Sequence, residues 1–296
     1  MVDKMEKALH ARQVRDYYDR NTARFLRWGK DDGTCNLHAA LWPPGVARLA
    51  EAMHYSNELI AREIDRCPRP VARVLDLGCG VGGSLFYLAR RLPAVGSFCG
   101  ISLSPVQVAR ARQQTPEELK HRCRFEEGSF LRLSAERFRT DVSFAIEAFT
   151  HGPDPPAFFG VQAALLPRGG RLAIIDDCLS DAAGSESLSD PHRRLLERYR
   201  RNWLLPGLRS LPEVRRMAAE KGFALIEDRD LTPYLRLGRP RDKAVSLLVK
   251  CLGSLMERDT YLRSLVGGDA KQACYSAGLI RYRLLVFEKS AARDVP

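Results

Sequence analysis

The chain has 296 residues, 45% of them hydrophobic, so it can bury a sizeable core, and one domain with insertions is expected rather than two full domains. It contains no run of roughly 18 apolar residues, which excludes a membrane span, and its charged start, MVDKMEKALHARQ, lacks an apolar signal core, so a cytoplasmic location is expected. The net charge of +11 suits an anionic partner, but no zinc-finger spacing or RNA-binding aromatic signature accompanies it, so nucleic acid is not the expected one.

Residues 1–69 are expected to be largely helical and to form a cap ahead of the first strand. Within them the stretch from Tyr17 to Trp42, "YYDRNTARFLRWG...LHAALW", is rich in aromatic residues. From residue 70 onward, apolar runs alternate with helical patterns, the sign of a mostly parallel sheet with covering helices. Strands are predicted at 72–77, 96–101, 123–127, 141–147, 171–177, 223–230 and 280–288, with helices at 82–92, 105–114, 155–166 and 211–221. "PRGG" at 167–170 stops one helix and turns the chain into the fifth strand. Residues 182–209 and 234–272 are helix-like, Arg-rich and Leu-rich, and interrupt the end of the sheet. Open α/β sheets bind ligands at the carboxyl ends of their strands, so these insertions are expected to fold over that edge as a lid; packing between copies in a homo-oligomer is the alternative. The predicted division is therefore a cap at 1–69, a cofactor-binding core at 70–181 and lid insertions with the last strands at 182–296. Eight cysteines are scattered without a CxxC pair and are read as free thiols.

The most informative stretch is "RVLDLGCGVGGSLFYLARR", Arg73 to Arg91, in which an apolar strand breaks into Gly78, Gly80, Gly82 and Gly83 before a helix. Glycine allows both the tight turn and close approach of a ligand to the backbone. Asp76, two residues before the first glycine, suits a cationic ligand and would repel the pyrophosphate of a dinucleotide. The segment resembles the first motif of class I S-adenosylmethionine-dependent methyltransferases, over about residues 70–180. That resemblance implies a Rossmann-like fold and a cofactor site at Asp76, Gly78, Cys79 and Gly80. "GISLSPVQVARAR" from Gly100 is similar to the family's second strand and helix, which implicates Ser102 and Gln107 in place of the usual acidic ribose ligand. "FEEGSFLRL" from Phe125 is similar to the adenine loop, with Ser129 and Phe130 where an aspartate is common.

"SFAIEAFTHGPD", Ser143 to Asp154, resembles the corresponding stretch of the sterol carbon-methyltransferases, and the aromatic N-terminal stretch resembles theirs and that of related terpenoid and tocopherol enzymes. An alkene attacking the donor methyl becomes a carbocation, which aromatic faces and a carboxylate stabilise and which must then lose a proton. Glu147 is the candidate for stabilising that cation and accepting the proton, with His151 and Tyr18 as further catalytic candidates and Glu147 also beside the cofactor. Tyr17, Phe25, Trp28 and Phe149 are candidate cage residues. Arg194, Arg198 and Arg201 fall on one helix face and, with Tyr199, are expected to hold the diphosphate of a prenyl diphosphate, a substrate class that calls for Mg2+. No dense Asp/Glu metal motif is present, although Asp176 and Asp177 stand at the end of the fifth strand. The leading expectation is carbon methylation of an isoprenoid alkene; an oxygen- or nitrogen-methyltransferase of natural-product biosynthesis is the alternative, in which His151 or Glu147 deprotonates the acceptor.

Overall fold

The computed structural model describes residues 2–28, 34–184 and 188–290. Its centre is a seven-stranded sheet of β1 (Arg73–Leu77), β2 (Ser97–Ser102), β3 (Cys123–Glu127), β4 (Val142–Ile146), β5 (Arg171–Leu179), β6 (Phe223–Asp230) and β7 (Ile280–Lys289), ordered β3-β2-β1-β4-β5-β7-β6. The first five strands are parallel, and β7 runs antiparallel between β5 and β6. The mostly parallel sheet expected from the sequence is the one observed. Strands β4 and β5 are buried along nearly their whole length, as continuous apolar runs require, whereas edge strand β6 buries only Phe223 and then alternates exposed and half-buried positions.

Helices cover both faces: α1 (Val2–Trp28), α2 (Leu49–Asp65), α3 (Gly83–Arg91), α4 (Pro105–Gln114), α5 (Ala135–Phe138), α6 (Pro155–Leu165), α7 (Asp190–Trp203), α8 (Leu211–Ala219), α9 (Pro240–Met256) and α10 (Thr260–Ser276). Two helices begin where their caps dictate. Ser104 accepts the Gln107 amide at 3.0 Å and Asp154 accepts the Ala157 amide at 3.0 Å, each followed by proline in the first turn. Because side chains alternate along each strand, two apolar cores form: Val74, Phe98 and Phe144 point into one, and Leu75, Ile101 and Ala145 into the other. All eight cysteines are free thiols, and no helix among the described residues is long and apolar enough to cross a membrane.

The inserted helical segments meet at the carboxyl edge of β1, β2, β4 and β5. Helix α10 packs on α7, and α1 contacts both α4 and α10. Asp19 of α1 accepts a hydrogen bond from the Ser104 hydroxyl, and Lys7 pairs with Asp154 at 2.8 Å, so α1 is fastened over that edge near its start and again past its middle.

Candidate active site

Under this lid lies a cavity of about 810 Å³. Its cofactor-like side is the turn after β1. Gly78 adopts φ +107°, and a Cβ there would stand 2.4 Å from the Ala148 Cβ, so only glycine lets the strand ends come together. At Gly83 the limit is different: a Cβ would lie 2.2 Å from the Cys35 carbonyl, where the segment leaving α1 crosses the start of α3. Asp76, Gly78, Cys79 and Gly80 line the cavity, as do Ser102, Gln107, Ser129 and Phe130. The Ser102 hydroxyl donates to the Gln107 amide oxygen at 2.7 Å, which fixes both side chains at the end of β2. Burial raises the Asp76 carboxyl well above its usual range, with no cation among the described residues to oppose it. A buried carboxylate of this kind favours a cationic ligand, so the residues fit a sulfonium donor of the S-adenosylmethionine type.

The opposite side is built on the ends of β4 and β5. Glu147 holds a left-handed backbone at φ +50°, and its amide donates to the Ile175 carbonyl at 2.8 Å. One carboxylate oxygen accepts the Ala39 amide at 3.0 Å and stands 3.9 Å from the Lys271 ammonium. Burial would raise the Glu147 carboxyl, but Lys271, His38 and the Ala39 amide outweigh it and hold it below the usual value. Lys271 also pairs with Asp177 at 3.2 Å, and burial, which would lower its ammonium, is outweighed by Asp177, Glu147 and Asp176. Asp177 accepts both the Tyr199 and the Tyr275 hydroxyl. Asp176 accepts the Thr150 amide and hydroxyl, each at 3.0 Å, yet burial and the adjacent Asp177 push its carboxyl up to about 7. Glu147 and Asp177 thus share one ammonium with Asp176 beside them, an arrangement that attracts further positive charge.

Tyr18 and His151 form the wall. The His151 Nδ1 lies 3.2 Å from the Leu204 carbonyl, which can only accept, so Nδ1 carries the proton. Burial depresses the imidazole to about 4, leaving it neutral with a lone pair on Nε2. The Tyr18 hydroxyl, 3.0 Å from Nε2, therefore donates to it, and its own lone pairs are left for the cavity. Phe25, Tyr199 and Trp203 also line the cavity.

Several predicted site residues lie elsewhere. Phe149 turns into the opposite core, where its ring meets those of Phe158 and Phe159, so it is not a cage residue. Tyr17 stands behind the wall, edge-on to Tyr18 and Trp203, and does not line the cavity. Trp28 ends α1, and its side chain lies outside the described residues. The arginine face of α7 also points away from the cavity. Arg201 pairs with Glu257 at 2.7 Å, Arg198 reaches the same carboxylate at 3.8 Å, and Arg194 is exposed. Tyr199, expected beside a diphosphate, instead binds Asp177. Besides Lys271, the cations lining the cavity among the described residues are Lys7, Arg12, Arg15, Arg132, Arg239 and Arg241.

Lys271, His38 and Trp203 were missed by the sequence reading. The signal for Lys271 was its place on the inward stripe of α10, in step with buried Gly267 and Tyr275, where a lysine needs a partner.

Residues 69–203 match a methyltransferase domain family. The chain is 25% identical over 264 residues to cycloartenol-C-24-methyltransferase 1 of Oryza sativa, covering 86% of this chain and 73% of that protein. It is 26% identical over 227 residues to the chloroplastic tocopherol O-methyltransferase of Arabidopsis thaliana, covering 75% of this chain and 64% of that one. Among solved structures, geranyl diphosphate C-methyltransferase from Streptomyces coelicolor, in complex with Mg2+, geranyl diphosphate and S-adenosyl-L-homocysteine, shares the fold with a TM-score of 0.70 at 20% identity, over 95% of this chain and 97% of that one. Residues 69–203 are thus a methyltransferase domain built on a Rossmann-like seven-stranded sheet with its glycine turn, and the chain resembles the isoprenoid carbon-methyltransferases among the class I S-adenosylmethionine-dependent enzymes.

Proposed function

We propose that the protein methylates an alkene carbon of an isoprenoid, with a prenyl diphosphate as the preferred acceptor and a sterol or other terpenoid behind it. The observation that carries this reading is the cavity floor, where Glu147 and Asp177 share Lys271, with Asp176 beside them, beneath aromatic walls from Tyr18, Phe25, Tyr199 and Trp203. In this reading residues 70–181 supply the cofactor side and the floor beneath the acceptor, and residues 1–69 and 182–296 close over it.

S-adenosylmethionine, when bound, supplies an electrophilic methyl on a sulfonium sulfur, and Asp76 with the glycine turn would hold its positive end. The acceptor's π electrons form the new carbon–carbon bond while the methyl–sulfur pair leaves with sulfur. The substrate carbocation left behind is stabilised by Glu147 and by the ring faces, each ring by about 0.5–2 kcal/mol. Glu147 then takes a proton from the adjacent carbon, and that C–H pair restores an alkene. The six cationic side chains that line the cavity besides Lys271 favour an acceptor with an anionic head. Mg2+ belongs to this proposal only as the companion of a diphosphate.

A second reading is supported by Tyr18 and His151. A hydroxyl donating to a neutral imidazole can pass an acceptor's proton to Nε2, which suits methylation at oxygen. The test is to incubate the protein with labelled S-adenosylmethionine and a panel of prenyl diphosphates, sterols and phenols, and to locate the methyl by mass spectrometry. One added methyl on carbon of a prenyl diphosphate is the expected result; label found only on oxygen would reject the alkene mechanism.

A further inference from the structure

Helix α9 carries a feature that the reaction does not use. Its inner face is closed by Val249, Gly253 and Met256, while Leu247, Cys251 and Leu255 at i, i+4 and i+8, with Leu248 and Leu252 beside them, face outward. Leu247 is 65% exposed and Leu255 57%, so this is a continuous apolar stripe and not a scatter of single leucines. Exposed Lys243 and Lys250, four residues before and three after Leu247, border one edge of it. Arg258 follows the helix end, and Arg239 and Arg241 at its start line the cavity.

We infer that this face of α9 docks on an anionic lipid bilayer, lying in the interface with its leucines among the acyl chains and its lysines on the headgroups. An apolar stripe edged by cations is the pattern of an in-plane membrane helix. Charge selects the bilayer over a second copy of this chain, because two copies of net charge +11 would bring like-charged borders together. Arg239 and Arg241, which line the cavity, lie at the start of the same helix, fewer than three turns before Leu247, so docking would bring that end of the helix toward the membrane surface. This inference goes beyond the proposed reaction and holds or fails independently of it.

The test is vesicle co-sedimentation of the full-length protein, with phosphatidylcholine alone and with about 30% phosphatidylglycerol added. The protein should pellet with the anionic vesicles and be released by salt. The Leu247→Glu/Leu252→Glu variant should lose at least about tenfold in partitioning, and Lys243→Gln/Lys250→Gln should weaken binding while flattening its salt dependence. All four side chains are exposed, so unchanged thermal unfolding is expected and separates lost docking from lost folding. Wild-type protein left in the supernatant, or leucine variants that pellet as wild type does, would overturn the inference. So would self-association that needs the same leucines and excludes vesicles, which would assign the face to a second copy.

Discussion

Glu147 pays for its position with a left-handed backbone, a conformation that costs a non-glycine residue about 1–3 kcal/mol and that surrounding structure must hold in place. The Ile175 carbonyl on one side and the Ala39 amide on the other do so. Glu147→Gln keeps an oxygen for the Ala39 amide but removes the negative charge, so cofactor affinity should stay near wild type. Turnover should fall at least about 100-fold, or about 3 kcal/mol of barrier, in steady-state assays at saturating cofactor. Tyr18→Phe leaves the His151 Nε2 without a donor while retaining the ring. If the alkene mechanism holds, the ring is the important part and turnover should fall by less than about tenfold, whereas a loss of about 100-fold or more would favour the oxygen-methylation reading. Asp176 gives a pH signature. Its carboxyl is raised from 3.8 to about 7, so the unfolded chain releases this proton first and stability is lost as pH rises through that window. His151, depressed from 6.5 to about 4, acts in the opposite sense and loses stability as pH falls through its own window. Urea unfolding of Asp176→Asn should therefore show a stability relative to wild type that improves from pH 5 to pH 7.5. A constant difference would remove Asp176 as the source. At this scale the placement of a residue on the cavity was legible where its type and its strand end coincide, as at Asp76 and Glu147, which both line it. It misled at Phe149, because an aromatic after a strand serves the opposite core as readily as a cavity.

Among the elements, α1 is the one whose role depends most on side-chain fastening. Asp19 ties it to the start of α4, Lys7 to Asp154, and Tyr18 to His151. Asp19→Ala removes one hydrogen-bonded tie of about 1 kcal/mol, so amides of α1 around residue 19 should exchange about fivefold faster while β4 and β5 stay protected. Unchanged exchange in α1 would show that the helix is held by packing alone. The central strands β1, β4 and β5 were readable because each is a largely apolar run between turn residues. The arginine spacing on α7 was read correctly as one face, but that face meets Glu257 and not a ligand. Spacing defines a face without saying what lies opposite, and the partner here is 56 residues away from Arg201.

At the scale of the whole molecule, the strand order and the insertion of β7 between β5 and β6 bring α10, and with it Lys271, back over the carboxyl edge. The class of fold was legible from alternating strands and helices, but this return was not, since no local pattern encodes which strands become neighbours. Its consequence is one cavity in which the glycine turn of β1 faces a shared-charge cluster on β4, β5 and α10. The most direct measurement is a crystal structure with S-adenosylhomocysteine, the donor without its methyl. Its sulfur should sit by Gly78 on the cavity side of the turn, facing the floor formed by Glu147. Sulfur directed away from that floor, or the molecule bound outside the cavity, would contradict the account.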